Sequence, residues 1–177
     1  MLSKEVVELS KQHSIIRDIF EYGMKRAKEV GAENVFDFSI GNPSVPAPKE
    51  IDETALRLLK TADPVDIHGY TSNAGVLEVR ENIAQSLNKR FDTNYTAANI
   101  FMTIGAAAAL GICFKTLVDG PEDDIITFAP HFPEYAVYAQ GAGCKLKVIS
   151  ADTKAFQINF EELEETISEH TKAILIN

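Results

Sequence analysis

The sequence contains no tryptophan, two cysteines and three methionines. Cys113 and Cys144 are too few for a disulfide framework and have no metal-ligand spacing, so both are expected to be reduced, buried thiols. No apolar run approaches the roughly 18 residues of a membrane span. Lys4, Glu5 and Glu8 stand where a signal peptide is apolar, which leads to the expectation of a cytoplasmic protein with no membrane partner. Positive charge is scarce as well: 17 Lys and Arg against 26 Asp and Glu leave a formal net charge of -9. No segment gathers basic and aromatic side chains as a phosphate-backbone footprint would, which argues against nucleic acid as a partner. His13, His68, His131 and His170 lack metal spacing, and no serine lies in a Gly-x-Ser-x-Gly elbow. Neither a metal site nor a hydrolase triad is expected.

What is present is the composition of an ordinary globular chain, with 45% hydrophobic and 24% charged residues. At about 150 residues per domain, 177 residues allow one domain and a small appendage. Over residues 14–30 the positions Ile16, Ile19, Phe20, Gly23, Met24 and Ala27 recur at helical spacing, with Ser14 placed to cap the start and Gly31 the end. Residues 35–40 read as a short strand, followed by a loop in which Pro43, Pro46 and Pro48 forbid regular structure. Helical spacing returns at Ile51, Ala55, Leu58 and Leu59, lapses over the polar residues 62–75, and resumes at Val76, Val79, Ile83, Leu87 and Phe91.

Beyond residue 95 apolar runs alternate with helix-compatible segments. The runs 100–104, 125–128, 146–149 and 173–176 start more than 20 residues apart, the spacing of crossover connections between parallel strands. This predicts an α/β fold, a right-handed layered sheet. Before the last run, Asn159 can cap a helix with Glu162 at the capping-box position, and Phe160, Leu163 and Ile167 form its expected buried stripe. The final run stops at Asn177, so the chain reads as interrupted where an α/β sheet would place a functional loop.

Two places can carry chemistry. In residues 102–110 a strand turns at Gly105 directly into a helix of minimal side chains, Ala106 to Ala109. Gly105 permits close backbone approach, and unobstructed N–H groups at the positive end of the helix dipole can hold a phosphate. Small residues that let the helix pack tightly on the sheet explain the pattern equally well. It is neither a P-loop nor a dinucleotide fingerprint. The stretch Gly141-Ala142-Gly143 is better explained by helix capping. In the second place, residues 129–135, Pro133 suits a first helical turn and holds Phe132 at a strand's carboxyl end. Its ring can stack on a planar ligand, or serve as a core residue or hydrophobic staple.

Together these segments resemble the N-terminal half of the fold-type I pyridoxal-phosphate aminotransferases, the class I/II group. The motifs occur in order: Phe38-Ser39-Ile40-Gly41-Asn42-Pro43; His68-Gly69-Tyr70 with Asn73-Ala74-Gly75 and Val79-Arg80; Thr103-Ile104-Gly105-Ala106-Ala107; Pro130-His131-Phe132 with Tyr135; and Ala173-Ile174-Leu175-Ile176-Asn177. The resemblance implies a three-layer α/β/α sandwich with a mostly parallel sheet. Residues 1–47 would form an N-terminal arm and helix of the small domain, and residues 48–177 the first part of the large cofactor-binding domain. It implies pyridoxal 5'-phosphate as cofactor, with Gly105, Ala106 and Ala107 cradling its phosphate and Phe132 stacking on its pyridine ring. Tyr70 would reach the phosphate of the other subunit across a homodimer interface, and Gly41 would lie by the substrate carboxylate. The phosphate turn departs from the usual pattern, since Ala106 and Ala107 offer only backbone N–H groups where the family often has a hydroxyl.

No catalytic residue is assigned. The family's cofactor asparagine, pyridine-pairing aspartate, anchoring lysine and carboxylate-binding arginine follow the segment matching 173–176, and Asn177 matches the residue that opens that region. The family sheet has the order 3-2-4-5-6-7-1, of which strands 1 to 4 correspond to runs in this chain; strand 1 would therefore be separated from a contiguous 3-2-4 block. The expected activity is amino-group transfer between an L-amino acid and a 2-oxo acid, with this 177-residue chain inactive alone. Carbon-sulfur lyase chemistry on the same fold, and a non-catalytic cofactor-binding fragment, are the competing readings.

Overall fold

The computed structural model describes residues 4, 7, 8, 11, 15–41, 45–151, 155 and 157–177. The expected Ser14 cap and residues 42–44 of the proline loop lie outside them. The chain divides into two compact units, Met1–Gly69 and Tyr70–Asn177.

In the first unit, helix α1 (Ile15–Val30) follows the predicted periodicity. Ile16, Phe20, Gly23, Ala27 and Val30 form its half-buried stripe, whereas Ile19 and Met24 lie outside it and are exposed. The helix ends at Gly31, whose φ of 91° is the left-handed region glycine enters without a Cβ penalty. Residues 35–40 form no strand. Asp37 Oδ1 accepts hydrogen bonds from the Ser39 N–H (2.8 Å) and the Ser39 hydroxyl (2.6 Å), a local turn that competes with a ladder. These bonds hold the Asp37 carboxyl below the usual carboxylate range. Helix α2 (Lys49–Thr61) is exposed along its whole length within this chain, Ile51, Leu58 and Leu59 included. The polar stretch after it holds an unpredicted short helix, α3 (Pro64–His68), started by Pro64 and capped by Asp63, whose carboxylate accepts from the Val65 N–H at 2.8 Å.

The second unit is an α/β layer structure. Helix α4 (Leu77–Phe91) turns Arg80, Ile83, Ala84 and Leu87 inward. The guanidinium of Arg80 donates to Gly75 O (3.1 Å) and Ala97 O (2.7 Å), tying the turn before the helix to the 3-10 turn Ala97–Asn99. Residues 100–104 are not a strand of the sheet: they join it by no ladder, and Met102 N–H bonds singly to Ala74 O at 3.0 Å. Their isolation from the other runs is what the family strand order implies for strand 1. Helix α5 (Gly105–Leu117) follows, then strand β1 (Asp124–Phe128), helix α6 (Glu134–Ala142), strand β2 (Lys145–Ile149), helix α7 (Phe160–Thr166) and strand β3 (Thr171–Leu175).

The sheet order is β2-β1-β3, all parallel. The expected 3-2-4 block is thus present, with one register shift between β1 and β3 at Asp124 and Ile125. From β1 to β2 the chain moves one way across the sheet and from β2 to β3 the other. Right-handed crossovers therefore put α6 and α7 on opposite faces, which makes the three layers. Central β1 is buried on both faces, with Ile125 and Ile126 at 0% exposure. Ile125 packs with Phe114 of α5 and Ala139 and Ala142 of α6 in the main core cluster. Gly143 closes α6 at φ 88°, as its capping assignment predicts. Asn159 caps α7, its Oδ1 accepting the Glu162 N–H at 3.2 Å. The stripe of α7 is not buried, however: Phe160 and Ile167 are exposed and Leu163 is half-buried; among the described residues the main packing partner of α7 is β2. Cys113 is also exposed rather than buried, although its neighbour Phe114 is in the core, and Cys144 is half-buried; both are free thiols. Burial, together with the nearby Asp123 and Asp124 charges, pushes the Cys144 thiol up.

Candidate functional site

Parallel strands all point their carboxyl ends to one edge, here marked by Phe128, Ile149 and Leu175. Open α/β sheets bind ligands outside that edge. Helix α5 precedes β1 through the short connection 118–123 and packs on it, so it runs opposite to the strand and starts at the same edge. Helix α6 follows β1 and also runs back, so its start lies there too. The two helices also pack on each other, Phe114 of α5 meeting Ala139 and Ala142 of α6 in the core cluster. The fold thus directs residues 105–107 and 132–135 to the carboxyl edge of the sheet.

At the start of α5, Gly105 has φ 77° and a Cβ built on it would meet nothing within 4 Å. This is a position that glycine favours for conformation rather than for lack of room. Gly105, Ala106 and Ala107 are exposed, and no side chain caps the helix. Thr103 is the hydroxyl residue nearest in sequence, and it donates to Gly105 O at 3.1 Å rather than to an open partner. The first-turn N–H groups of a 13-residue helix therefore face outward with the positive end of its dipole.

After β1 the chain passes a cis Ala129–Pro130 bond and reaches Phe132, a residue 43% exposed. Pro133 is the N-cap of α6. The Phe132 ring meets that of Tyr135 edge to face, centroids 5.7 Å apart at 74°. Tyr135 is 6% exposed, and its hydroxyl donates to Asn177 Oδ1 at 2.8 Å, bridging the segment after β1 to the segment after β3. Sequence reasoning included Tyr135 in a motif without giving it a task. An aromatic three residues after Phe132 at a helix start was the available signal. Glu134, beside it, keeps one buried carboxylate oxygen without a hydrogen-bond partner. A cavity of about 330 Å³ lies at the same edge, lined by Phe128, Ala129, Pro130, Ile158 and Asn177 among others.

Tyr70 opens the second unit with its side chain fully exposed. Gly41 belongs to the first unit and is also exposed. Among the described residues no group of three or more His, Cys, Asp or Glu is arranged to hold a metal ion. The opposite edge of the sheet is electrostatic scaffolding. Asp123 Oδ2 accepts the N–H groups of Asp119 (2.7 Å) and Gly120 (3.2 Å), and Lys172 lies 3.6 Å from its other oxygen. The Asp119 N–H is the largest influence holding the Asp123 carboxyl below its usual range. The buried Asp124 is paired with Lys147 at 2.8 Å and accepts from the Thr171 hydroxyl at 2.8 Å.

Comparison with known proteins places this geometry in a family setting. The sequence profile described as aminotransferase class I and II matches residues 33–177. The chain is 33% identical over 146 residues to an aspartate aminotransferase of Thermotoga maritima, covering 82% of this chain and 37% of that protein. It is 32% identical over 164 residues to a probable aspartate aminotransferase of Methanocaldococcus jannaschii, covering 93% and 40%. Among solved structures, an amino transferase from Eubacterium rectale is 48% identical with a TM-score of 0.93, covering 98% of this chain and 44% of that one. The crystal structure of the Thermotoga maritima aspartate aminotransferase gives 29% identity and a TM-score of 0.84, covering 99% and 45%. The chain thus spans less than half the length of each. The cofactor of the matched family is pyridoxal 5'-phosphate.

Proposed function

The chain belongs to the class I and II aminotransferase family, and from that premise we propose that the complete protein moves an amino group between an L-amino acid and a 2-oxo acid through pyridoxal 5'-phosphate. The observation that carries the reading is the start of α5: a left-handed Gly105 and two alanines leave an uncapped helix N-terminus at the sheet's carboxyl edge. The residues present fit a phosphorylated, planar group. In this reading the N–H groups of Gly105, Ala106 and Ala107 hold the phosphate, and because no side-chain hydroxyl stands among them, backbone donors do most of that work. Phe132, an exposed residue, covers one face of the pyridine ring and keeps water from it. When bound, the cofactor supplies an electron sink for the substrate α-carbon.

The remaining assignments belong to the complete assembly. Tyr70, fully exposed here, reaches the phosphate held by the partner subunit of a homodimer, and Gly41 lies beside the substrate carboxylate. Residues 1–47 contribute to a small domain and residues 48–177 open the large one. In this reading the protein works in the cytoplasm. No lysine of this chain matches the family's anchoring motif, so the 177-residue chain does not transaminate alone.

The test is a cofactor titration of the complete protein followed by incubation with amino acids and 2-oxoglutarate. The expected result is a visible cofactor absorbance and formation of a new 2-oxo acid. Cofactor binding with release of sulfide or a thiol from cysteine-type substrates, and no amino transfer, would favour the lyase reading. Turnover by the purified 177-residue chain would refute its proposed inactivity.

A further inference from the structure

We infer that Tyr135 is a positioning residue: its ring sets the orientation of Phe132 toward the cofactor, and its hydroxyl fixes that ring to the chain leaving β3 at Asn177. The inference rests on the proposed stacking role of Phe132 and identifies the group that aims it.

Phe132 is 43% exposed as a residue, so no enclosing core selects its rotamer. The aromatic contact of Phe132 is the edge-to-face meeting with Tyr135, a geometry in which the positive ring edge meets the negative face. Tyr135 is itself held from several sides. It is 6% exposed, lies near-parallel to His131 with centroids 6.1 Å apart at 20°, and meets Tyr138 at 6.5 Å and 50°. The backbone is held as well: the Tyr135 N–H donates to Phe132 O at 3.2 Å, and His131 Nδ1 lies 3.1 Å from the same oxygen. A buried tyrosine hydroxyl needs an acceptor, and which acceptor it takes decides what the ring is tied to. Here the acceptor is Asn177 Oδ1, 42 residues away and directly past the carboxyl end of β3. One hydrogen bond therefore joins the two segments that leave adjacent strands at the ligand-binding edge. Without it the Tyr135 ring keeps its packing but loses its tie to the chain leaving β3, and the orientation of Phe132 relaxes with it.

Because the bond rather than the ring is at issue, Tyr135→Phe is the informative change: it deletes the hydroxyl and keeps the packing. Asn177→Ala deletes the acceptor. The apo form of the complete protein is titrated with pyridoxal 5'-phosphate for the wild type, both single variants and the double variant. The readings are the dissociation constant and the visible circular dichroism that a ring held in one orientation induces at saturation. Each single change is expected to weaken binding about fivefold, the order of one neutral hydrogen bond, and to diminish the induced signal. The double variant is expected to be no worse than either single one, since both remove the same bond. Unchanged affinity and induced signal in Tyr135→Phe, with only a lower melting temperature, would overturn the inference and leave Tyr135 a packing residue. Fully additive effects of the two changes would overturn it too. If the wild type binds cofactor and transaminates while the variants match it, this inference alone fails. A wild type that binds no cofactor removes the proposed function and this inference together.

Discussion

Replacing Gly105 by alanine separates the conformation of the proposed phosphate turn from its role. A Cβ at this position meets nothing within 4 Å, so the substitution creates no clash; its entire cost in the unliganded protein comes from φ 77°. A left-handed conformation costs an L-residue about 1–2 kcal/mol relative to glycine, partly offset by the smaller entropy of the unfolded alanine chain, about 0.4–1 kcal/mol. The net expectation is a destabilisation of about 1 kcal/mol, or ~2–4 °C in melting temperature for a chain of this size. Gly111 is the internal control. It lies on the same helix, also has open space around its Cβ, and does not adopt a positive φ. Gly111→Ala should therefore stabilise by about 0.5–1 kcal/mol, the same chemical change with the opposite sign. Urea unfolding of the two variants reads both values. A Gly105→Ala variant as stable as the wild type would refute the left-handed turn. A variant destabilised as expected but binding pyridoxal 5'-phosphate with unchanged affinity in the complete protein would refute the role of that turn in holding phosphate.

Two further predictions concern the scaffold. Ile125 is wholly buried between α5 and α6, so Ile125→Ala should cost about 2–5 kcal/mol in urea unfolding, through lost burial and the cavity left behind. A cost below about 1 kcal/mol would mean that the site collapses or is not packed as described. The folded pKa of Asp123 is depressed, so its contribution is fully present above the unfolded carboxylate value, near 4, and is lost as pH falls through the lower folded value. Thermal melts of the wild type should therefore lose stability below about pH 4. Asp123→Asn should be less stable at neutral pH and show a shallower acid decline; identical slopes for both proteins would contradict the arrangement with Asp119, Gly120 and Lys172.

Local signals carried most of the element assignments. α1, α2 and α4 follow apolar spacing, and Asn159 and Gly143 act at the helix ends where their chemistry puts them. Where reading by pattern failed, a contact was missing or a local one intervened. Residues 35–40 and 100–104 have strand-like composition but no neighbouring strand, and a strand is a property of a pair of segments. Asp37 and Ser39 satisfy one another instead. The stripe of α7 is apolar in sequence yet exposed, because periodicity reports which face wants cover and not whether cover exists. The short α3 was hidden by its polarity, although Asp63-Pro64 is a recognisable start.

The candidate site divides along the same line. The phosphate turn was legible because it is local: a glycine that can take φ 77° and the small side chains after it are adjacent in sequence. Phe132 was legible as a position after a strand, although its exposure was not. What sequence alone determined here is the longer helices and the residues capable of special backbone geometry, which rest on interactions within a few residues, and, through the family motifs, the 3-2-4 strand order. Tertiary structure alone decided the packing of α5 and α6 on Ile125, the exposure of the α7 stripe, and the bond from Tyr135 to Asn177. Those depend on which segments tens of residues apart are brought together by right-handed crossovers, and local pattern carries no record of which side chains will meet.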